Sequence, residues 1–278
     1  MNFENFLCRT PRADRWSSVP GAMLFCVVLF CGVPVMALPI ELLLIGDSIT
    51  EGCVSGPTGT DCTCDQGLCY AGRLNTHLGG DYHTVNAGVG GSTTSNWASE
   101  AVQTPYVLVG GTPTPIFEGV AVPNLPADVV LIMLGTNDAF GWFEPSPIYP
   151  DLYLENLDAM VTRILDLGAG QIVLVKPPPL LAFDETGQNR LRSYGPEIDR
   201  LCALMTNVVC GPDLTSLLTP DDFESDDPHP NAAGHDKIAW AVSETIAFVP
   251  EPSAALLMGL GLAALSLRRR AMGVAPSF

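Results

Sequence analysis

Positive charge is what this chain has least of. Thirteen Lys and Arg stand against 30 Asp and Glu in 278 residues, a formal net charge of −17. The cations also crowd the ends, with Arg9, Arg12 and Arg15 near the N-terminus and Arg268, Arg269 and Arg270 near the C-terminus. Residues 38–249 keep 7 Lys and Arg against 27 Asp and Glu, a balance of −20. Such a body repels nucleic acid and anionic lipid, so no nucleic-acid partner is expected. No internal repeat is visible, which excludes solenoids and arrays. Histidine is scarce, at four residues. There is no G-x-S-x-G sequence, so the usual nucleophile elbow of an α/β-hydrolase is absent. What remains is a globular composition, 47% hydrophobic and 15% charged, long enough for one α/β domain with a sizeable core or for two small domains.

The two ends read as processing signals. Arg9 to Arg15 form a positive segment, Met23 to Val33 an apolar one, and Val35-Met36-Ala37 a small-residue cleavage site. Residues 1–37 are therefore expected to be a signal peptide, cut near Ala37. At the other end, Pro250-Glu251-Pro252 breaks the chain, Ala254 to Leu267 is apolar, and three arginines close it. That run falls short of the ~20 residues an ideal spanning helix needs. The arginines favour the cytoplasmic side, which leaves the body outside. In order and content, residues 250–278 resemble the PEP-CTERM sorting tail of certain Gram-negative bacteria. The resemblance implies recognition by an exosortase-type membrane enzyme, transient membrane association through the tail, and a periplasmic, cell-surface or secreted body. A plain C-terminal anchor is the alternative.

Cysteine usage agrees with export. Cys8, Cys26 and Cys31 leave with the signal segment, and six remain: Cys53, Cys62, Cys64, Cys69, Cys202 and Cys210. An even count in an oxidising compartment predicts three disulfides. Cys202 and Cys210 flank one short connection and are expected to pair. The other four sit in a Gly-rich loop and allow three connectivities. A zinc site is the rival for those four, but Cys62-Thr63-Cys64 is tighter than the usual zinc pair.

Between the ends, apolar runs alternate with helical patterns. Strands are expected at Ile40–Ile45, Tyr82–Asn86, Asp128–Leu134, Gln171–Val175 and Asn207–Cys210. Helices are expected at 71–78, 92–102, 151–167, 196–205 and 232–248, the last capped by Asn231. Residues 109–124, rich in Gly and Pro, read as an irregular insertion. Five strands alternating with helices predict a three-layer α/β/α sandwich on a central parallel sheet. In such sheets a ligand sits beyond the carboxyl ends of the strands. Four segments should therefore converge on one edge: Gly46-Asp47-Ser48, "NAGVGGST", "GTND" and "DDPHPN".

Their chemistry is complementary. A serine hydroxyl is a weak nucleophile until a base takes its proton. His229, held extended between Pro228 and Pro230, is the best-placed base. His77 and His83 sit beside a helix and a strand as ordinary solvated or packed histidines, and His235 is expected on the surface of the last helix. Asp226 lies three residues before His229 and can orient the ring, with Asp227 as its neighbouring rival. Glycine N–H groups in "GVGG" and the Asn137 amide offer donors to a developing oxyanion. Taken alone, each segment also reads as a turn or cap.

Together, in this order and over residues 41–248, the segments resemble the SGNH hydrolase superfamily, also called GDSL-type esterases and lipases. The resemblance implies a flavodoxin-like fold, with Ser48 as nucleophile and backbone oxyanion donor. It makes Gly91 and Asn137 the further oxyanion donors, and Asp226 and His229 the rest of a triad. No metal or organic cofactor is implied. The expected reaction is hydrolysis of a short-chain acyl or O-acetyl ester, borne on a small molecule or a polysaccharide. An acyltransferase using the same residues and a non-catalytic carbohydrate-binding or matrix protein are the alternatives. The cysteine-rich stretch and the 109–124 insertion lie outside the common blocks, where substrate choice would be set.

Overall fold

In the computed structural model, residues 38–247 are described except for 57–58, 65–66, 80, 141–146, 180–184 and 225–227. The expected signal peptide, the tail, Asp226 and Asp227 lie outside the described residues. Strand β1 (Ile40–Gly46) runs into a single helical turn, α1 (Ser48–Glu51). Helix α2 (Tyr70–Leu78), strand β2 (Tyr82–Gly88) and helix α3 (Thr94–Ala98) follow. A hairpin of β3 (Val107–Val109) and β4 (Thr112–Thr114) precedes β5 (Val129–Met133), α4 (Thr136–Phe140) and α5 (Pro150–Asp166). The chain ends with β6 (Gln171–Lys176), α6 (Glu185–Leu204), β7 (Val208–Asp213), α7 (Leu214–Leu217) and α8 (Ala232–Ala247).

Five strands form one parallel sheet in the order β2-β1-β5-β6-β7. The apolar runs Leu42–Ile45 of β1 and Val129–Met133 of β5 follow from burial on both faces. Leu43, Ile45, Val130 and Ile132 face a layer built by α5 and α6, with Leu157, Val161, Ile164, Leu191 and Ile198. Leu42, Leu44, Val129, Leu131 and Met133 face the opposite layer, built by α2 and α8 with Leu74, Ile238, Val242 and Ile246. Each fully buried Leu or Ile side chain contributes about 1.5–3 kcal/mol, so the three layers hold one another.

The topology also sets the site. From β1 the chain goes outward to the edge strand β2, then returns to the other flank of β1 with β5. The carboxyl ends of β1 and β5 thus bracket the point where strand order reverses, the place where such sheets bind ligands. Gly46 pairs with Gly88 on one side and with Met133 on the other.

Several expectations shift. The helix expected over 92–102 is only Thr94–Ala98, ended by Ser99 in an extended conformation. The 109–124 insertion is more regular than its composition implied. Gly110 and Gly111, with φ of 58° and 83°, turn a hairpin, and a π-helical turn spans Phe117–Ala121. The helix expected to start at Pro196 starts at Glu185 and carries that proline inside it.

His235 is corrected most. It is fully buried, not on the surface of α8. Its ring stacks on Tyr70, accepts the Tyr70 N–H through Nδ1 at 3.1 Å, and donates from Nε2 to the Cys53 carbonyl at 3.0 Å. Burial pushes its pKa down to about 4, so the ring is neutral and can serve as acceptor and donor at once. It ties both ends of the cysteine-rich loop to α8. Within that loop Cys53 bonds to Cys62 and Cys64 to Cys69, and Cys202 bonds to Cys210.

Candidate active site

A Cβ at Gly46 would lie 1.9 Å from Thr50 Oγ1 and 2.8 Å from the Met133 carbonyl oxygen. Only glycine lets α1 fold back this closely on the end of β1. Asp47 then caps the turn, its carboxylate accepting the Ile49 N–H at 3.0 Å. Ser48, first residue of α1, is left half-buried at the carboxyl edge of the sheet. Across 181 residues of sequence, His229 Nε2 comes within 2.9 Å of Ser48 Oγ.

The segment carrying His229 is pinned from both sides. Phe223 and Pro230 form an antiparallel bridge, and the Asn231 N–H donates to the Asp222 carbonyl at 2.8 Å. The Ser55 N–H, from the cysteine-rich loop, donates to the Pro230 carbonyl at 3.0 Å. Asn231 caps α8 as expected, accepting the Ala233 and Gly234 N–H groups at 3.0 Å each.

The loop after β2 is tied to the loop after β5. Gly91 has φ +73°, a left-handed conformation that favours glycine. The Asn137 amide donates to the Ser92 carbonyl at 2.9 Å, and its Nδ2 bears a second hydrogen. The Asp138 carboxylate accepts the Thr94 N–H at 3.0 Å and the Thr94 hydroxyl at 2.5 Å. Trp97 Nε1 donates to Ser92 Oγ at 2.9 Å. These bonds fix "GGST" against "GTND". Ser48, Gly91, Asn137 and His229 all line one cavity of about 270 Å³, with Gly90, Glu51, Thr136, Phe140 and Pro228. The Cys53–Cys62 disulfide forms part of its wall.

A family model described as the GDSL-like lipase/acylhydrolase family matches residues 44–237. The chain belongs to that family. The cavity therefore sits in a GDSL-family hydrolase, whose substrates are esters. A second match, to the PEP-CTERM protein-sorting motif, covers residues 248–270 and marks the chain for export to the envelope of a Gram-negative bacterium, with exosortase processing. Among solved structures, an aryl esterase from M. smegmatis is 21% identical over 76% of this chain and 100% of its own, with a TM-score of 0.57. A carbohydrate acetylesterase from Sinorhizobium meliloti is 19% identical over 75% and 98%, with a TM-score of 0.55. A variant of an acetyl-xylooligosaccharide esterase from Geobacillus is 23% identical over 75% and 94%, with a TM-score of 0.56. At these identities the three share the fold. No curated protein sequence matches the chain. Among the described residues of this GDSL-family chain, no helix is long and apolar enough to cross a membrane.

Two buried carboxyls stand behind the site. Burial pushes Asp47 up to about 7 and Asp138 up to about 6, against the hydrogen bonds that each accepts, and the negative charge of Asp138 raises Asp47 further. The folded value of Asp47 lies above its unfolded value. The folded chain therefore holds an extra proton between about pH 4 and pH 7, and stability falls as pH rises through that window. Asp47→Asn keeps a side-chain cap and removes the buried charge. The variant is expected to exceed the wild type by about 1–3 kcal/mol at about pH 8, with the gain shrinking toward pH 4. Urea unfolding at the two pH values measures this, and a gain independent of pH would contradict it.

The sequence pointed to Ser48, Gly91, Asn137 and His229, and it left out other cavity residues. Glu51 was readable from spacing, since three residues after Ser48 is the same side of a helical turn. Thr136 and Phe140 flank Asn137 on α4. The disulfide wall had no local signal, because spacing did not decide which cysteines pair.

Proposed function

We propose that this GDSL-family chain is an exported serine esterase that hydrolyses carboxylic esters of short acyl groups, acetyl above all. The observation that carries the proposal is the 2.9 Å contact of Ser48 Oγ with His229 Nε2 at a cavity also lined by Gly91 and Asn137. A base within hydrogen-bond reach of a hydroxyl, beside donors that need no rearrangement, is what acyl transfer requires. The cavity volume of about 270 Å³ favours a small acyl group. Similarity to a carbohydrate acetylesterase and an acetyl-xylooligosaccharide esterase points the same way.

In this reading Ser48 Oγ attacks the ester carbonyl while His229 Nε2 takes its proton. The Ser48 and Gly91 N–H groups and the second Asn137 amide hydrogen receive the oxyanion. His229 returns the proton to the leaving alcohol, and Ser48 is left acylated. Water, deprotonated by His229, then releases the carboxylic acid and restores Ser48. Asp226 is assigned to orient the imidazole and balance its charge. Residues 1–37 are assigned as signal peptide, 38–249 as the hydrolase domain and 250–278 as the sorting tail.

The test uses exported, disulfide-bonded protein. Hydrolysis of p-nitrophenyl acetate is followed beside Ser48→Ala, and a fluorophosphonate probe is located by peptide mass. Activity and labelling at Ser48, both lost in the variant, support the proposal. Equal hydrolysis by the two proteins would remove Ser48 from the mechanism.

A further inference from the structure

One carboxylate in the cavity has no part in that mechanism. Glu51 closes α1, three residues after Ser48, and lines the same cavity. Its carboxylate lies against the loop that carries Gly91. A Cβ on Gly90 would fall 2.6 Å from Glu51 Oε2 and 3.8 Å from Ser48 Cβ. The missing side chain at Gly90 thus makes room for the carboxylate beside the nucleophile. Burial raises the Glu51 pKa, while the Gly90 N–H and the facing His229 ring pull it down. The residue is nonetheless exposed. Among the described residues no Lys or Arg lines the cavity and no salt bridge involves Glu51.

We infer that Glu51 is a specificity-determining residue that makes the cleft favour esters carrying a positive charge near the scissile bond over those carrying a negative one. A carboxylate lining the same cavity as Ser48 attracts an ammonium and repels a second carboxylate. Partial desolvation strengthens both effects beyond their size in open water. For a solvent-open group each is about three- to tenfold in kcat/KM. The substrate class narrows to acyl esters of neutral or cationic alcohols, and esters on acidic carriers are disfavoured. This rests on the esterase reading.

The experiment compares three acetates at about pH 8, well above the ordinary carboxyl range. Acetylcholine carries the cation, 3,3-dimethylbutyl acetate is its neutral isostere, and O-acetylglycolate is the anion. Wild type is expected to rank them cation, neutral, anion in kcat/KM. Glu51→Gln keeps the shape and an acceptor for Gly90. It is expected to shrink the cation-to-anion ratio about tenfold or more, and added salt should shrink the ratio more in wild type than in the variant. Because the ratio is taken within one protein, a change in active fraction cancels. A ratio unmoved by Glu51→Gln overturns the inference while leaving the esterase reading intact. If no ester is hydrolysed, the esterase reading fails by itself. Calorimetry of choline against 3,3-dimethylbutanol, on wild type and Glu51→Gln, then decides the charge preference. Equal choline affinity in the two proteins overturns it.

Discussion

Ser48→Ala and His229→Ala are each expected to lower kcat by about four to six orders of magnitude, and the double variant to be no slower than either alone. In the proposed mechanism the two side chains act as one unit, and their contact is 2.9 Å. Without the hydroxyl, His229 has no proton to take. Without the imidazole, the hydroxyl stays protonated and is a poor nucleophile. Removing the second partner therefore removes nothing further. What activity remains would come from the oxyanion donors acting on water, at about 10³–10⁴ over solution. KM should change little, since neither group is needed to hold the ester. Pre-steady-state kinetics on a chromogenic acetate measures this. A double variant slowed by the product of the two single losses would show two independent contributions and dissolve the proposed pair.

Asn137→Ala is expected to lower kcat by about a hundred- to a thousandfold, with KM changed less than about threefold. The Asn137 amide is already oriented, since one of its hydrogens is spent on the Ser92 carbonyl. The other costs no reorganisation when charge develops on the substrate oxygen. Loss of that donor should appear in kcat, because the oxyanion exists only past the ground state. The substitution also leaves the Ser92 carbonyl short of a donor, a stability loss of about 1 kcal/mol. Thermal unfolding separates the two effects. Asn137→Asp keeps the size but puts an acceptor where a donor is needed, and should be at least as slow. A kcat within a factor of three of wild type would take Asn137 out of the oxyanion hole.

The sheet and much of the candidate site were legible because their signals are local. β1 and β5 carry continuous apolar runs, and doubly buried strands have no other pattern to show. The turn residues after them are small, polar or Gly-rich, as a close approach to a ligand demands. Where the reading slipped, a distant partner decided. His235 looked like a surface residue on an amphipathic helix, yet Tyr70 and Cys53 supply the two hydrogen bonds that let its ring be buried. Pro196 looked like a helix start, but α6 runs through it from Glu185, packed on the sheet by Leu191, Tyr194 and Ile198. Glu51 counts for the site only because Gly90, from another segment, leaves space beside it. Sequence spacing places residues along an element and does not say which element lies opposite.

The stapled loop also carries a matter of timing. Cys53–Cys62 and Cys64–Cys69 close intervals of only 9 and 5 residues, and the first of them forms cavity wall. Such bonds persist where thiols are oxidised and not where glutathione keeps them reduced. A chain held where thiols stay reduced would lack these covalent ties around Ser48. Under the proposed function, the wall of the cleft is expected to be complete only where thiols are oxidised, so full activity should arrive with export.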